Sequence, residues 1–211
     1  MADLMPVDDA LERLLGEAVV RAGTERIDVR RAAGRVAARP ISAAIDVPPA
    51  DNSAMDGYAF RHAGVAEGDA LQISDRIPAG TAPEALAPGT AARIFTGAPV
   101  PEGADTVVMQ EDTRPADDAV VITELPAVGD NVRPAGQDIA AGSEVIAAGR
   151  RLRPPDLGLA TSVGTDEIEV YRPLRVALMA TGDELVEPPR PLAPGQIYNS
   201  SHYALTALLE R

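Results

Sequence analysis

Glycine, proline and aspartate interrupt this chain at short intervals from Tyr58 onward, which limits the segments between them to a few residues each. The pattern predicts five short strands, at about 58–61, 70–76, 90–95, 106–111 and 119–123. Short strands at such spacing, separated by turn residues, are typical of a compact β domain. The middle of the chain is therefore predicted to be β-rich.

Helical patterns precede this region. Apolar residues between Val7 and Val19 recur at helical spacing, and Gly23 can adopt the left-handed conformation that ends a helix. The first helix is therefore predicted to be amphipathic and to extend towards Gly23. A second, shorter helix is predicted to start at Asp28 as its N-cap and to continue to Ala37.

The last third of the chain changes in character. Two prolines suit the first turn of a helix at 154–163, and 167–171 predicts a strand. Segment 176–180 is a continuous apolar run, typical of a strand covered on both faces of a parallel sheet, and the polar loop 181–184 follows at its carboxyl end. Asn199 can cap a further helix. One parallel strand cannot form a sheet alone, so we expect a fragment that lacks most of an α/β domain.

Composition excludes several functional classes. The chain has 32 acidic residues against 19 basic residues, all of them Arg, and its net charge of −13 argues against nucleic acid or an anionic membrane as a partner. There is no cysteine, which excludes a disulfide framework and a thiolate metal site. The sequence contains no signal-peptide pattern and no apolar run of membrane-spanning length, so a cytoplasmic protein is predicted.

Chemistry is predicted for the loop at 51–60, DNSAMDGYAF. Two prolines stiffen the approach to this loop. The loop contains two carboxylates, of Asp51 and Asp56, together with an amide oxygen and a hydroxyl, and hard cations such as Mg²⁺ prefer oxygen ligands. The alternative is that these are turn residues that hydrogen-bond their own backbone.

Five segments carry a resemblance to a known family. They are 51–60 (DNSAMDGYAF), 93–101 (RIFTGAPVP), 103–111 (GADTVVMQE), 131–133 with 136–139 (NVR and GQDI), and the block 175–199, which contains RVALMATGDEL and PGQIYN. In this order they resemble the MoeA/gephyrin E-domain family, the enzymes that insert molybdenum into molybdopterin.

The resemblance implies an α+β multidomain, elongated fold. A split α/β linking domain is expected from 24–43 and 143–173, with a β-rich domain inserted at 44–142. Residues 1–23 and 174–211 are expected to form the N-terminal helix and the truncated start of a molybdopterin-binding α/β domain with a parallel sheet.

The resemblance also implies a function: insertion of molybdate into adenylylated molybdopterin, giving molybdenum cofactor and AMP, by a homodimer with Mg²⁺ as cofactor. The catalytic candidates that it implies are Asp56, Thr96, Asp138 and Glu184, of which Asp56 and Glu184 are also candidate Mg²⁺ ligands. The candidate substrate-binding residues are Arg133, Ser53, Thr181, Gly182 and Asp183. Because further motifs of the family lie beyond position 211, we expect the chain to be incomplete for catalysis.

Structural alternatives remain for several of these residues. Thr96 is also a candidate turn hydroxyl, and Asp138 a candidate surface partner of Arg133. His62 and His202 lie in unrelated contexts, which argues against a histidine-based site. A solvated hairpin is predicted for the acidic cluster of Glu111, Asp112, Asp117 and Asp118, and Asp46 is predicted to serve local turn geometry. Two rival functions are a non-catalytic dimerisation or scaffold module of the same family, and an unrelated carbohydrate- or metal-binding β module, against which the five ordered segments argue.

Overall fold

The computed structural model describes residues 5–210, which form an α+β fold dominated by strands. The three helices are α1 (Val7–Gly16), α2 (Pro154–Ser162) and α3 (Ser200–Leu209). The strands are β1 (Thr24–Asp28), β2 (Ile41–Ser42), β3 (Asn52–Ser53), β4 (Gly57–Phe60), β5 (Ala70–Ile77), β6 (Thr90–Ile94), β7 (Thr106–Met109), β8 (Thr113–Ala116), β9 (Ala119–Ile122), β10 (Val132–Arg133), β11 (Glu144–Ile146), β12 (Glu167–Tyr171), β13 (Leu185–Val186) and β14 (Ile197–Tyr198).

The chain divides into two compact units. One is Thr24–Val170, and the other holds the described residues on either side of it. Residues 1–4 and 211, which belong to the predicted domain of 1–23 and 174–211, lie outside the described residues.

In the larger unit, two distant segments share one hydrophobic core. Strand β1 pairs with β12, and β2 pairs with β11 in antiparallel register. Ala37 forms a single bridge with Val170, and both are fully buried. Ile41 and Ile146 are buried in the same cluster, as is Leu152. The segments before and after the β-rich region are therefore folded together.

The β-rich region is a six-stranded sheet in the order β7-β4-β6-β5-β9-β8. Neighbouring strands are antiparallel except β5 and β6, which are parallel. Ala59 and Phe60 are adjacent on β4 but belong to different buried clusters, as do Val107 and Val108 on β7. Because successive side chains of a strand point to opposite faces, these alternating assignments mean that both faces of the sheet are covered.

The five strands predicted in this region are confirmed as β4, β5, β6, β7 and β9, with ends within two residues of the prediction. The acidic cluster also forms the predicted hairpin, in which β8 and β9 are joined at Asp117 and Asp118, and Asp117 adopts a positive φ of 47°. The helix at 154–163 is confirmed as α2 and the strand at 167–171 as β12.

The predicted second helix is wrong in length. Asp28 caps a single 3₁₀ turn, Val29–Arg31, by accepting a hydrogen bond from the Arg30 N–H at 2.8 Å. The chain then leaves the helical conformation because Gly34 takes a φ of +79° and Ala37 pairs with Val170. Pairing with a distant strand has overridden the local helical pattern.

The smaller unit corrects two further predictions. Helix α1 ends at Gly16, well before Gly23, and none of its residues is buried. The predicted strand at 176–180 is not formed, and Val176 and Met179 remain 57% and 84% exposed. An apolar run becomes a buried strand only where a neighbouring strand satisfies its backbone, and none does so among the described residues. The parallel pair in this unit is instead the short β13–β14.

The predicted helix capped by Asn199 is confirmed as α3. Asn199 is buried, and its Oδ1 accepts a hydrogen bond from the His202 N–H at 3.3 Å. Within the described part of the chain, no helix has the length and apolar character needed to cross a membrane.

Asp156 fixes the start of α2 and supports a prediction about acid stability. Its buried carboxylate accepts from Arg150 Nε at 3.0 Å and from the Arg153 N–H at 2.8 Å. These bonds, above all that from Arg150, hold the Asp156 pKa well below its ordinary value of 3.8. A carboxylate whose pKa is lowered by folding stabilises the fold above its unfolded pKa and loses that contribution as the pH falls.

We therefore expect Asp156→Asn to lower the Tm at neutral pH, with a difference from the unchanged protein that shrinks steadily as the pH falls below about 4. Thermal unfolding at several pH values measures this. Asp118→Asn, in the exposed hairpin, is the control and should change the Tm little at any pH. A pH-independent difference for Asp156→Asn would contradict the prediction.

Candidate functional site

Asp56 and Thr96 meet at one end of the six-stranded sheet. Asp56 directly precedes β4 and Thr96 follows β6, and these strands are antiparallel partners with Gly57 opposite Ile94. The Thr96 N–H and hydroxyl both donate to Asp56 Oδ1, each at 2.8 Å. These two bonds, with a smaller contribution from the Arg93 charge, hold the pKa of Asp56 below its ordinary value. The carboxylate is therefore kept ionised and aimed at Thr96.

Only one oxygen of the Asp56 carboxylate is used in this contact. Oδ2 has no hydrogen-bond partner among residues 5–210. The backbone of Asp56 is also fixed, because its carbonyl accepts from the Gln110 N–H at 3.0 Å. An anchored carboxylate with one unused oxygen can accept a cation or a proton donor without rearranging.

Arg133 and Asp138 form an ion pair beside the loop at 51–60. Strand β10 places Arg133 opposite Asn52 of β3, and Arg133 Nη2 lies 2.6 Å from Asp138 Oδ2. The two side chains are 38% and 51% exposed, and an exposed pair of this kind stabilises a fold by at most ~1 kcal/mol. The pairing left open by the sequence is therefore present, and breaking it for a ligand would cost little.

Two other side-chain oxygens of the 51–60 loop hydrogen-bond the backbone, and a third has no partner. Asp51 Oδ1 accepts from the Ala135 N–H at 2.8 Å. Ser53 is buried, and its hydroxyl donates to the Met55 carbonyl at 2.6 Å. Asn52 Oδ1 is buried without a hydrogen-bond partner. The substrate-binding role predicted for Ser53 stays a prediction, and its contacts favour a role in loop structure.

Asp46 serves turn geometry, as predicted. Its Oδ1 accepts from the Ala141 N–H at 2.7 Å, and a Cβ added at Gly136 would lie 3.0 Å from the same oxygen. His62 is also satisfied, since its Nε2 lies 2.9 Å from the Pro126 carbonyl oxygen. Between residues 5 and 210, no three histidine, aspartate or glutamate side chains are grouped closely enough to hold a metal ion.

The predicted residues of the 181–184 loop lie together in the smaller unit, and all four are exposed. The Glu184 carbonyl accepts from the Ile197 N–H at 2.9 Å, which ties the loop to β14. The Glu184 carboxylate lies over the bare backbone of Gly182, where an added Cβ would come within 2.5 Å of Oε2. A cavity of about 310 Å³ is lined by Thr181 and by the first turn of α3.

The predicted site residues thus form two groups, one in each unit. The larger unit holds two contacting pairs, Asp56 with Thr96 and Arg133 with Asp138. The smaller unit holds the loop at 181–184.

Comparison with known proteins identifies the family. The family model described as the MoeA N-terminal region, domains I and II, matches residues 5–164. The chain belongs to the MoeA family. The matched segment contains Asp56, Thr96, Arg133 and Asp138, so the first group of site residues lies inside the family region.

Curated relatives and solved structures agree with this assignment. The molybdopterin molybdenumtransferase of Nostoc sp. is 43% identical over 194 residues, covering 89% of this chain and 44% of the relative. That of Haemophilus influenzae is 38% identical over 210 residues, covering 99% of this chain and 52% of the relative. A crystal structure of a molybdopterin biosynthesis MoeA protein from Pyrococcus horikoshii, 32% identical, superposes with a TM-score of 0.88 and covers 99% of this chain and 57% of that structure.

The resemblance to the MoeA family is therefore confirmed, and with it the assignment to a family of transferases named for molybdopterin. The chain spans about half the length of the curated relatives that it matches.

Two residues near Asp56 were missed by the sequence analysis. Arg93 Nη1 donates to the Gly57 carbonyl at 3.0 Å, and Arg93 Nη2 donates to Gln110 Oε1 at 2.6 Å. Both residues lie in MoeA-like segments, 93–101 and 103–111, but nothing in those segments distinguishes them from their neighbours. All 19 basic residues of the chain are Arg, so an arginine by itself carries little signal.

Proposed function

We propose that this chain is part of a molybdopterin molybdenumtransferase that inserts molybdate into adenylylated molybdopterin and releases molybdenum cofactor and AMP. The observation that carries the proposal is the double hydrogen bond from Thr96 to Asp56 in a MoeA-family chain whose curated relatives bear that enzyme's name. The rival scaffold function would not require an ionised, anchored carboxylate at this position.

The proposed reaction depends more on electrostatic positioning of the substrate than on covalent catalysis by the protein. Phosphoryl chemistry is catalysed mainly by holding and neutralising charged oxygens. Asp56 suits this task because Thr96 fixes one of its oxygens and leaves the other unused. Thr96 acts through Asp56 and needs no reactivity of its own.

Mg²⁺ is proposed as the cofactor, and the residues present supply carboxylate oxygens for part of its coordination shell. Mg²⁺ is commonly held by one or two carboxylates together with water and substrate phosphates, so it does not need a cluster of three acidic residues. Asp56 Oδ2 is the oxygen that would hold it in the larger unit, and Glu184 is the proposed Mg²⁺ ligand of the smaller unit. When bound, the cation would neutralise charge on the phosphate oxygens.

Arg133 is proposed to contact an anionic group of the substrate. Its side chain is partly exposed and already bonded to Asp138. A phosphate or molybdate oxygen can accept the same N–H groups with a strength equal to or greater than that of the exposed carboxylate. Asp138 would then keep Arg133 oriented before the substrate arrives. Thr181, Gly182 and Asp183, which lie in the smaller unit, are separately proposed as substrate-binding residues.

We further propose the domain boundaries of the family: 24–43 with 143–173, the insertion 44–142, and 1–23 with 174–211. The shared core of Ile41 and Ile146 supports the split domain, and the six-stranded sheet supports the insertion. Localisation in the cytoplasm is proposed from the family role.

A homodimer is proposed as the working state. Helix α1 buries none of its residues, and the apolar side chains of Leu11, Leu14 and Leu15 are more than half exposed. Apolar surface of this kind marks an interaction site. Light scattering at tens of micromolar should therefore give more than the monomer mass, and Leu11→Glu with Leu14→Glu should reduce it. A monomer at all concentrations would contradict this proposal.

A hybrid protein tests the proposed function. Residues 1–211 replace the matching half of the Haemophilus influenzae relative, with which they align over 210 residues. The hybrid is expected to restore molybdenum cofactor formation in a strain that lacks its own molybdenumtransferase. The intact relative is the positive control. A hybrid that folds but stays inactive where the relative is active would contradict the proposal.

A further inference from the structure

We propose that Arg93 and Gln110 are positioning residues for Asp56: they fix the turn at Asp56 and Gly57 so that the carboxylate meets Thr96. The inference rests on the proposed role of Asp56 and adds to it the residues through which the fold holds that carboxylate in place.

Two hydrogen bonds hold the carbonyls of Asp56 and Gly57, and a third joins the two donor residues. The Gln110 N–H donates to the Asp56 carbonyl at 3.0 Å, and Arg93 Nη1 donates to the Gly57 carbonyl at 3.0 Å. Arg93 Nη2 then donates to Gln110 Oε1 at 2.6 Å, which joins the two supports. Both carbonyls of the turn are therefore held by groups that are themselves connected.

Arg93 is a rigid support because its own side chain is confined. Its guanidinium lies 5.0 Å from the centre of the Tyr58 ring and 4.8 Å from that of Phe95. Tyr58 is its direct cross-strand partner on β4. Contacts with two ring faces limit the rotation of the guanidinium. The positions of Nη1 and Nη2 are thus set by the sheet.

The arrangement matters for Asp56 because a carboxylate is directed by its backbone as well as by its partners. If the turn shifts, Thr96 can no longer donate two bonds to the same oxygen. Displacement of a reactive group by about 1 Å can lower a rate by ~10²-fold. Arg93 and Gln110 therefore influence the reaction without contacting the substrate.

Arg76 provides a matched control within the same sheet. It lies opposite Arg93 in the parallel pairing of β5 and β6, and its guanidinium is 4.9 Å from the same Phe95 ring. Among the described residues, however, its side chain makes no hydrogen bond or ion pair. The two arginines share charge, ring contact and strand register, and differ in the bonds to the turn.

The first test uses hydrogen exchange of the Thr96 amide, measured by NMR in the 211-residue chain. Arg93→Gln is expected to speed this exchange by about tenfold, the effect of losing one ordinary hydrogen bond in the network. Arg93→Lys keeps the charge but cannot reach both acceptors, so it should restore only part of the protection. Gln110→Leu should also speed the exchange, and combining it with Arg93→Gln should add little, because both act on one turn.

Arg76→Gln should leave the Thr96 exchange rate unchanged. If it speeds exchange as much as Arg93→Gln does, contact with Phe95 explains the effect and the proposal is overturned. An unchanged rate in Arg93→Gln overturns it as well. If Arg93→Gln does not fold, Arg93→Lys and Gln110→Leu decide by the same measurement, because Gln110 is exposed and its replacement leaves the core intact.

Steady-state kinetics of the hybrid protein complete the test. Arg93→Gln and Gln110→Leu are expected to lower kcat by tenfold or more with little change in KM, whereas Arg76→Gln should match the unchanged hybrid. A change confined to KM would contradict a positioning role. Failure of the proposed function is distinguishable: a fully active Asp56→Asn hybrid would remove the role of Asp56, while exchange at Thr96 would still report whether Arg93 fixes the turn.

Discussion

Replacing Asp56 by Asn is expected to lower the rate of molybdenum insertion by the hybrid protein by about 10²-fold or more, because loss of one placed electrostatic contact to the reacting groups has an effect of this size. The fold should be retained. Asn keeps an oxygen that can accept both Thr96 bonds, so the substitution removes the charge and preserves the geometry. The measurement is formation of molybdenum cofactor and AMP from adenylylated molybdopterin and molybdate.

Two comparisons separate charge from structure. Thr96→Val removes the hydroxyl donor but keeps the N–H donor to Asp56 Oδ1, so its effect on rate should be smaller than that of Asp56→Asn. Asp118→Asn removes an exposed charge in the β8–β9 hairpin and should leave the rate unchanged. Normal turnover by a folded Asp56→Asn hybrid would return Asp56 to the role of an ordinary turn residue.

The central sheet was predictable because each strand is bounded by residues with a local mechanism for stopping it. Glycine, proline and aspartate between 58 and 123 mark most of the turns, and five of the six strands were predicted between them. Strand β8, which contains Pro115, was not predicted. The two-residue strands such as β3 and β10 were missed. They exist through pairing with each other although the whole six-stranded sheet lies between them in sequence, and two residues carry no periodic pattern.

The errors share a cause. A helical pattern from Asp28 to Ala37 is overridden by Gly34 and by the bridge from Ala37 to Val170. An apolar run at 176–180 stays outside any strand because no partner strand pairs with it within residues 5–210. The local sequence predicts which backbone conformation a segment prefers. Whether the segment adopts that conformation depends on pairing partners that are distant in sequence.

The sequence named candidate site residues but could not give their contacts. Resemblance singled out Asp56 and Thr96 separately, and the pairing of β4 with β6 brings them together. Arg93 was missed because its role follows from its register opposite Tyr58 and from the carbonyl of Gly57, neither of which has a sequence signature.

Gly57 is the position where the smallest substitution should have the largest effect on stability. It is buried on β4 between β6 and β7, and a Cβ added there would lie 1.9 Å from the Val108 carbonyl oxygen and 2.9 Å from its carbon. Real contacts of this kind cannot be shorter than about 3 Å, and both obstructing atoms belong to backbone, which side-chain rotation cannot relieve. Strand β4 or β7 must move.

We therefore expect Gly57→Ala to lower the free energy of unfolding by about 3 kcal/mol, the upper range for overpacking a well-filled interior. For a chain of this size that corresponds to a fall in Tm of roughly 10 °C. Gly158→Ala is the matched control. Gly158 lies within α2 with nothing within 4 Å of the added Cβ, and alanine is the better helix former by up to ~1 kcal/mol, so this variant should be slightly stabilised. Thermal and denaturant unfolding of the two variants beside the unchanged chain measures both effects.

Because Gly57 also supplies the carbonyl that Arg93 holds, the movement of β4 should speed Thr96 amide exchange as well. A Gly57→Ala variant as stable as Gly158→Ala would mean that β4 and β7 do not pack as closely at Gly57 as this structure places them.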